Sequence, residues 1–300
     1  MEKVINISFV ADRNYFKHMF VAIESVIRNT STMNSLKFLI LDVGIGEENK
    51  ETLVNRYSNC SNVSIGFIKV DIDKVSNFKI KTHVSKAAYA KVYICDLLKE
   101  DKVIYLDCDL VVNEDISILW DTFDDQVILK AVWNPFYNYD NKYFGLDENS
   151  KTFNSGVMLL NLDLMRKNSS SKKLVEFLYE NHDKTRLHDQ AAFNGVFKNE
   201  WVELDIKWNT QVSMFQNTYK NLCIKKNELL NLYERPNVIH FTSNSKPWQF
   251  RNSHPYKNLY KKYYEDIFGN LQYQEVTIKS LLQKIKEYTK YKYYYYINMI

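Results

Sequence analysis

The stretch DKVIYLDCDLVVNED, residues 101–115, decides how this chain is read. An apolar β-like run through Val103, Ile104, Tyr105 and Leu106 stops on Asp107, Cys108 and Asp109, then resumes as Leu110, Val111 and Val112. Residues i and i+2 of an extended segment point to the same side, so the two carboxylates stand together. Carboxylates in apolar surroundings have to be paired, protonated or metal-bound. The pair therefore asks for a cation.

Outward from this stretch, further apolar runs at 4–10, 36–41, 63–70, 127–132, 157–162 and 238–241 read as strands. Helical patterns at 16–28, 47–57 and 86–98 separate the early ones, the last with Ser85 as its N-cap. Such alternation predicts an α/β fold whose mixed, mainly parallel sheet carries helices on both faces. Ligands of such folds bind at the carboxyl ends of strands, where the ADRN turn (11–14) and the Asp107–Cys108–Asp109 break both fall. No internal repeat and no Pro/Gly/Ser-rich linker interrupts the first 250 residues. The expected organisation is one domain over 1–265 and a helical tail over 266–300.

Composition narrows the class. The 300 residues are 45% hydrophobic and 25% charged, a globular balance. A net charge of +4 is too mild to predict a nucleic-acid partner. The opening MEKVINISFVADRNYF is too short an apolar run for a signal peptide, and no segment reaches the length of a transmembrane helix. The four cysteines, Cys60, Cys95, Cys108 and Cys223, are far apart and read as reduced core thiols of a cytosolic protein.

Only seven glycines occur, and none builds a GxGxxG or a P-loop. A diphosphate bound by such a fold would then rely on a metal or on basic side chains instead of glycine-rich backbone. Asp107 and Asp109 can hold the metal, and His240, at the end of the run NVIHFT, is an apt third ligand. Two carboxylates with one imidazole favour Mn²⁺, with Mg²⁺ the alternative. A single histidine after a strand is also a common structural residue.

Five motifs together resemble glycosyltransferase family 8, the retaining GT-A group that includes bacterial lipopolysaccharide galactosyl- and glucosyltransferases and glycogenin. In family order they are FVADRNY (9–15), YLDCDLVV (105–112) followed by LW, FNSGVMLLNL (153–162), HDQAAFNGVF (188–197) and HFTSNSKPW (240–248). The resemblance implies a GT-A fold and transfer of glucose or galactose from UDP-glucose or UDP-galactose to a glycan or glycolipid acceptor, such as lipopolysaccharide or lipooligosaccharide. It implies that Asp107, Asp109 and His240 hold Mn²⁺ on the diphosphate, assisted by Lys246. Ala11, Asp12, Asn14, Tyr15 and Cys108 match nucleotide-contacting positions. Lys91, Asn134, Asn154, Ser155, Asp189 and Gln190 match positions around the donor sugar. Of these, Asp189 and Gln190 are the expected catalytic pair. An amide is a poor nucleophile, so front-face transfer is the natural reading, with Gln190 stabilising positive charge near C1.

Three positions depart from the family pattern. Lys91, in Tyr89-Ala90-Lys91, replaces an arginine and loses its planar fork. Asn134 stands where an aspartate is usual, and Ser243 replaces the glycine of HxxGxxKPW. Gly156, inside a strand pattern, predicts a bulge or a close approach to ligand. Acceptor contacts are expected from 135–152, with Phe136, Tyr137, Tyr139 and Tyr143.

Residues 257–300 carry eight lysines against four acids and end in YTKYKYYYYINMI. Leu281, Leu282, Ile285 and Tyr288 fall at helical spacing beside Lys279, Lys284, Lys286 and Lys290. This predicts a basic amphipathic helix that contacts an anionic membrane, placing a cytoplasmic enzyme on the inner face of the cytoplasmic membrane. Packing on the domain, or an oligomer interface, is the rival reading. Two other functions compete. VIYLDCDLV also fits the nucleophile motif of haloacid-dehalogenase-type phosphohydrolases, though three strand–helix units precede it and no GDxxxD follows. A catalytically decayed sugar-binding homologue is the third reading.

Overall fold

The computed structural model describes residues 3–70, 90–181, 183–273 and 276–300. In chain order its strands are β1 Val4–Ala11, β2 Ser35–Asp42, β3 Val63–Lys69, β4 Lys102–Leu106, β5 Leu110–Val112, β6 Leu129–Trp133, β7 Phe153–Asn161, β8 Trp201–Glu203, β9 Thr210–Gln211 and β10 Val238–His240. The longer helices are α1 Phe16–Asn29, α2 Glu47–Tyr57, α3 Ser170–Asn181, α4 His188–Val196, α5 Lys226–Glu234, α6 Lys257–Phe268 and α7 Ile278–Met299. They fall into two compact units that interleave along the chain. The first comprises 1–16, 30–108 and 117–205; the second comprises 17–29, 109–116 and 206–300.

The first unit is built on a seven-stranded sheet in the order β3-β2-β1-β4-β7-β6-β8. Strands β3, β2, β1 and β4 run parallel, β7 is antiparallel to both β4 and β6, and β8 is parallel to β6. The mixed, largely parallel α/β sheet expected from the sequence is what the chain forms. A sheet covered on both faces needs strands that are apolar throughout rather than alternating, and all nine residues of β7 are buried. The core holds Leu39, Leu41, Val103, Tyr105, Leu129, Met158, Leu160 and Phe193.

β7 begins four residues before the expected strand, because it opens with a bulge. Ala131 pairs with Met158 but Trp133 pairs with Phe153, so residues 154–157 lie opposite Val132 alone. Asn154, Ser155 and Gly156 are poor strand formers, and the bulge frees them from regular pairing. The bulge foreseen at Gly156 is present.

In the second unit β10 is antiparallel to β5 and parallel to β9, with His240 opposite Leu110 and Gln211. The segment 238–241 therefore belongs to a separate three-stranded sheet, not to the large one. Val21 of α1, Val111, Ile239, Phe241 and Tyr260 form the core of this unit.

Of the expected helix 86–98, Ser85, Tyr89 and the other residues before Ala90 lie outside the described residues. Beyond them the chain makes a 3-10 turn, Lys91–Tyr93, and one α-helical turn, Ile94–Leu97. The thiol reading needs correction: Cys95 and Cys108 are buried, but Cys60 is half-buried and Cys223 exposed. Among the described residues no helix is long and apolar enough to cross a membrane.

Candidate active site

In the first unit the chain leaves β4 at Leu106, and the Asp107 N–H donates to the Gly156 carbonyl of the β7 bulge (2.8 Å). The Tyr105 hydroxyl donates to Asp107 Oδ1 (2.9 Å). Burial, then the charge of Asp107, pushes the Tyr105 phenol well above its ordinary range, so it stays a donor. Lys91 is buried and donates to Ser155 Oγ (3.0 Å) and its carbonyl (3.3 Å). Its ammonium pairs with Asp189 and lies 3.6 Å from Asp107 Oδ1. Burial alone would pull the Lys91 ammonium down; Asp107 and Asp189 outweigh that and hold it above its usual value.

Gln190, in the first turn of α4, is also buried. Its Oε1 accepts from Asn154 Nδ2 (3.1 Å) and the Ser155 N–H (3.2 Å). Asn154 Oδ1 in turn accepts from the Gly156 N–H (2.9 Å), so the bulge and the amides form one network. The Gln190 Nε2 donor has no partner among the described residues. A buried donor left unmade costs about 1–3 kcal/mol, which makes it a prime candidate to meet a ligand.

Asn194, one helical turn beyond Gln190, was not foreseen. Its side chain accepts from the Phe153 N–H and donates to the Phe153 carbonyl, both at 2.9 Å, pinning α4 to the start of the bulge. It sits inside the HDQAAFNGVF motif, but only its three-dimensional partner reveals the task.

The second unit holds the other half of the motif. Asp109 Oδ1 lies 3.2 Å from His240 Nε2, while His240 Nδ1 lies 3.0 Å from Asn209 Oδ1. As the pair stands, a ring hydrogen on Nε2 faces Asp109; were Nε2 to hold a metal, the hydrogen would sit on Nδ1, where the Asn209 amide oxygen accepts it. Asn209, also unforeseen, supplies that acceptor. Lys246 Nζ donates to Asp109 Oδ2 (2.5 Å) and to the Phe241 carbonyl (2.6 Å). Burial would raise the Asp109 carboxyl; Lys246 and His240 reverse that and hold it far below the usual carboxylate range. Trp248 of the same motif stacks on His18 of α1, with ring centroids 3.4 Å apart, and the Tyr260 hydroxyl lies 2.6 Å from His18 Nδ1.

Asp109 and His240 of the second unit, with Asp107 two residues before Asp109 in the chain, are groups able to hold a metal ion. The expected nucleotide residues lie elsewhere along the chain. Ala11 ends β1, and Asp12 caps the approach to α1 by accepting from the Tyr15 N–H (2.9 Å) and from Asn14 Nδ2 (3.4 Å). Cys108 is buried with its thiol on the Val10 carbonyl (3.2 Å). Asn134 follows β6, its N–H donating to the Thr152 carbonyl (2.8 Å). Ser243 uses its hydroxyl inside its own turn, donating to the Ser245 carbonyl and accepting the Ser245 N–H, both at 3.1 Å. In the acceptor loop, Tyr137 is turned inward against Asp140, whereas Phe136 and Tyr139 are 50% and 39% exposed.

This geometry can be set beside known proteins. The profile of "Glycosyl transferase family 8" matches residues 6–252. The chain belongs to glycosyl transferase family 8. It is 31% identical over 268 residues to general stress protein A of Bacillus subtilis, covering 87% of this chain and 93% of that one. A putative glycosyltransferase of Haemophilus influenzae is 29% identical over 259 residues, covering 84% and 75% respectively. The chain also spans 34% of the length of glycosyltransferase GlyA of Streptococcus pneumoniae, at 27% identity. Among solved structures, galactosyltransferase LgtC in complex with donor and acceptor sugar analogues superposes with a TM-score of 0.73 at 25% identity, covering 93% of this chain and all of LgtC. As a family 8 member with the GT-A fold, the chain is a glycosyltransferase, and its substrates are a nucleotide-sugar donor and a glycan acceptor. Membership removes the phosphohydrolase reading, whose motif belongs on a first strand, whereas Asp107 follows the fourth.

Proposed function

We propose that this glycosyltransferase moves glucose or galactose from its UDP-sugar to a cell-surface glycan such as lipopolysaccharide or lipooligosaccharide, with retention of configuration and dependence on Mn²⁺. The observation that carries the reading is Asp109 Oδ1 at 3.2 Å from His240 Nε2, with Asp107 two residues before Asp109 in the chain. A divalent ion held there would neutralise the charge that builds on a departing diphosphate.

The remaining work falls to the chain's own side chains. Lys246 offers a second positive charge to the phosphates. Ala11, Asp12, Asn14, Tyr15 and Cys108 hold the nucleoside, with Tyr15 as the ring that stacks on the base. Asp189 accepts hydrogen bonds from sugar hydroxyls, and its ion pair with Lys91 holds it in place. The Gln190 amide stands beside C1: its oxygen, held by Asn154 and Ser155, is the end that stabilises positive charge there, and its Nε2 donates to an oxygen of the donor sugar. Asn134 reads the hexose from the end of β6. The C1–phosphate bond breaks as the acceptor oxygen joins C1, and the acceptor's proton passes to the departing phosphate oxygen.

The enzyme works on the cytoplasmic side of the membrane, and α7 touches the surface through Leu281, Leu282, Ile285 and Tyr288, which are 45–81% exposed together with Ile278. The reading is tested by hydrolysis of UDP-glucose, UDP-galactose and UDP-N-acetylhexosamines with Mn²⁺ and with EDTA. Turnover of a UDP-hexose that EDTA abolishes, and an α-linked product by NMR, are expected. Full activity in EDTA, or a β-linked product, would overturn it.

A further inference from the structure

A cavity of about 350 Å³ opens in the second unit, between α7 and the turn formed by residues 243–245. Its helical wall is Gln283, Lys286, Glu287 and Lys290, whose spacing of three and four puts them on one face of α7. Arg251 closes another side. Three cations thus converge with one carboxylate, which is already committed: Glu287 Oε2 accepts from Ser245 Oγ (3.1 Å) and the Ser253 N–H (2.7 Å). Lys290 spends one hydrogen on Gln216 (2.7 Å), and Arg251 spends two of its five N–H groups on Gln249 (3.1 Å) and Asn244 (2.7 Å). The rest of the donor capacity faces a pocket of ligand size, edged by serine hydroxyls and amides.

This is not the wall of the donor group described above, but it shares a turn with it. Residues 243–245 run directly into Lys246, so whatever fills the cavity is held beside the KPW segment. The hydroxyls and amides suit sugar hydroxyls; the excess of two positive charges, including a planar guanidinium, suits a phosphate. We propose that this cavity is a subsite for a phosphate-bearing sugar of the glycan acceptor. The proposal rests on the reading that the chain transfers to a glycan, and it gives Lys286 and Lys290 a task other than contact with a membrane. It also accounts for Ser243 in place of glycine, since that hydroxyl builds the turn lining the cavity.

The test uses the full chain, with glucose 6-phosphate, glucose and vesicles containing phosphatidylglycerol as probes. Saturation-transfer NMR on wild type should give binding of glucose 6-phosphate at least tenfold tighter than glucose. The double variant Lys286→Gln, Lys290→Gln, and separately Arg251→Gln, should reduce that preference at least tenfold, with hydrolysis of free UDP-hexose unchanged. Equal binding of glucose and glucose 6-phosphate by wild type, or equal binding of the phosphate by wild type and variants, overturns the proposal. So does a double variant that loses vesicle binding while keeping glucose 6-phosphate, because the cations then serve a lipid phosphate. Binding is read without turnover, so a failure here is distinguishable from a failure of the donor reaction, which the hydrolysis assay reads on its own.

Discussion

Lys246 Nζ sits 2.5 Å from Asp109 Oδ2, and the same ammonium is held from behind by the Phe241 carbonyl at 2.6 Å. The lysine that would serve the phosphates is therefore also the cation that neutralises the carboxylate proposed to hold the metal. A divalent ion competes with it for that oxygen. Lys246→Met should tighten Mn²⁺ binding in the absence of nucleotide while lowering transfer, and Asp109→Asn should weaken Mn²⁺ at least tenfold. The free-Mn²⁺ signal in electron paramagnetic resonance reads both. Weaker metal binding in Lys246→Met would contradict the competition.

The buried Lys91 ammonium balances Asp189 and Asp107. Removing one partner of a buried ion pair costs about 3–5 kcal/mol, because a charge is left without compensation. Lys91→Met should lose stability on that scale and lose UDP-hexose hydrolysis. Lys91→Arg restores the residue usual in the family and keeps the charge. It should retain most of the stability and change the donor KM more than the melting temperature. Urea unfolding and donor kinetics on the two variants separate charge from shape.

Where α4 crosses α3, there is no room for a side chain at Gly195. A Cβ there would overlap Cε2 and Cζ of the Phe177 ring. Gly195→Ala would normally favour a helix, yet here overpacking should win, at about 1–3 kcal/mol. Phe177→Leu in the same chain should return part of that loss. A melting temperature unchanged in Gly195→Ala would show that the helices part freely.

The sequence carried the candidate-site residues of this picture better than their scaffolding. Asp107 and Asp109 were legible because two carboxylates so close together in one apolar run of sequence repel each other unless a cation joins them. Asp189, Gln190 and His240 were legible because each stood in a motif of fixed order. Asn194 and Asn209 were not. Their partners, Phe153 and His240, lie 41 and 31 residues away, and an asparagine shows no preference for a distant partner in sequence alone. The β7 bulge was visible only at its glycine. Its full extent depends on the pairing of Trp133 with Phe153 across the sheet, which no local pattern encodes.

Acid should destabilise the second unit in a defined window. Burial lowers His18 and His254 from the ordinary 6.5 to about 3, so both are neutral when folded at neutral pH. The unfolded chain then binds more protons than the folded one between about pH 6.5 and 3, and stability falls as pH falls through that range. Each histidine contributes a slope of about 1.4 kcal/mol per pH unit there. His254→Phe should flatten the dependence of the urea midpoint on pH between 6.5 and 4. His18→Gln should flatten it too, while loosening the Trp248 stack beside Lys246. A midpoint equally steep in both variants would place the acid sensitivity elsewhere.

The two faces of α7 do different things, and this decides how membrane contact has to be tested. Inward, Tyr291 is 5% exposed and Asn298 fully buried. Asn298 accepts from the Tyr219 N–H (3.1 Å) and donates to the Asn217 carbonyl (2.9 Å) and the Tyr233 hydroxyl (2.8 Å). Tyr291 packs with Val212 and Phe215. Deleting residues from 270 onward would uncover these groups, so truncation should lower the melting temperature and would confuse lost membrane contact with lost structure. Outward, Leu282, Ile285 and Tyr288 are 63%, 54% and 54% exposed. Leu282→Glu with Ile285→Glu leaves the inward face intact and puts two charges where apolar groups would meet lipid. Sedimentation with anionic vesicles should fall at least tenfold in affinity at low salt, while the melting temperature and hydrolysis of free UDP-hexose stay as in wild type. Equal sedimentation of variant and wild type would show that α7 serves only to complete its unit.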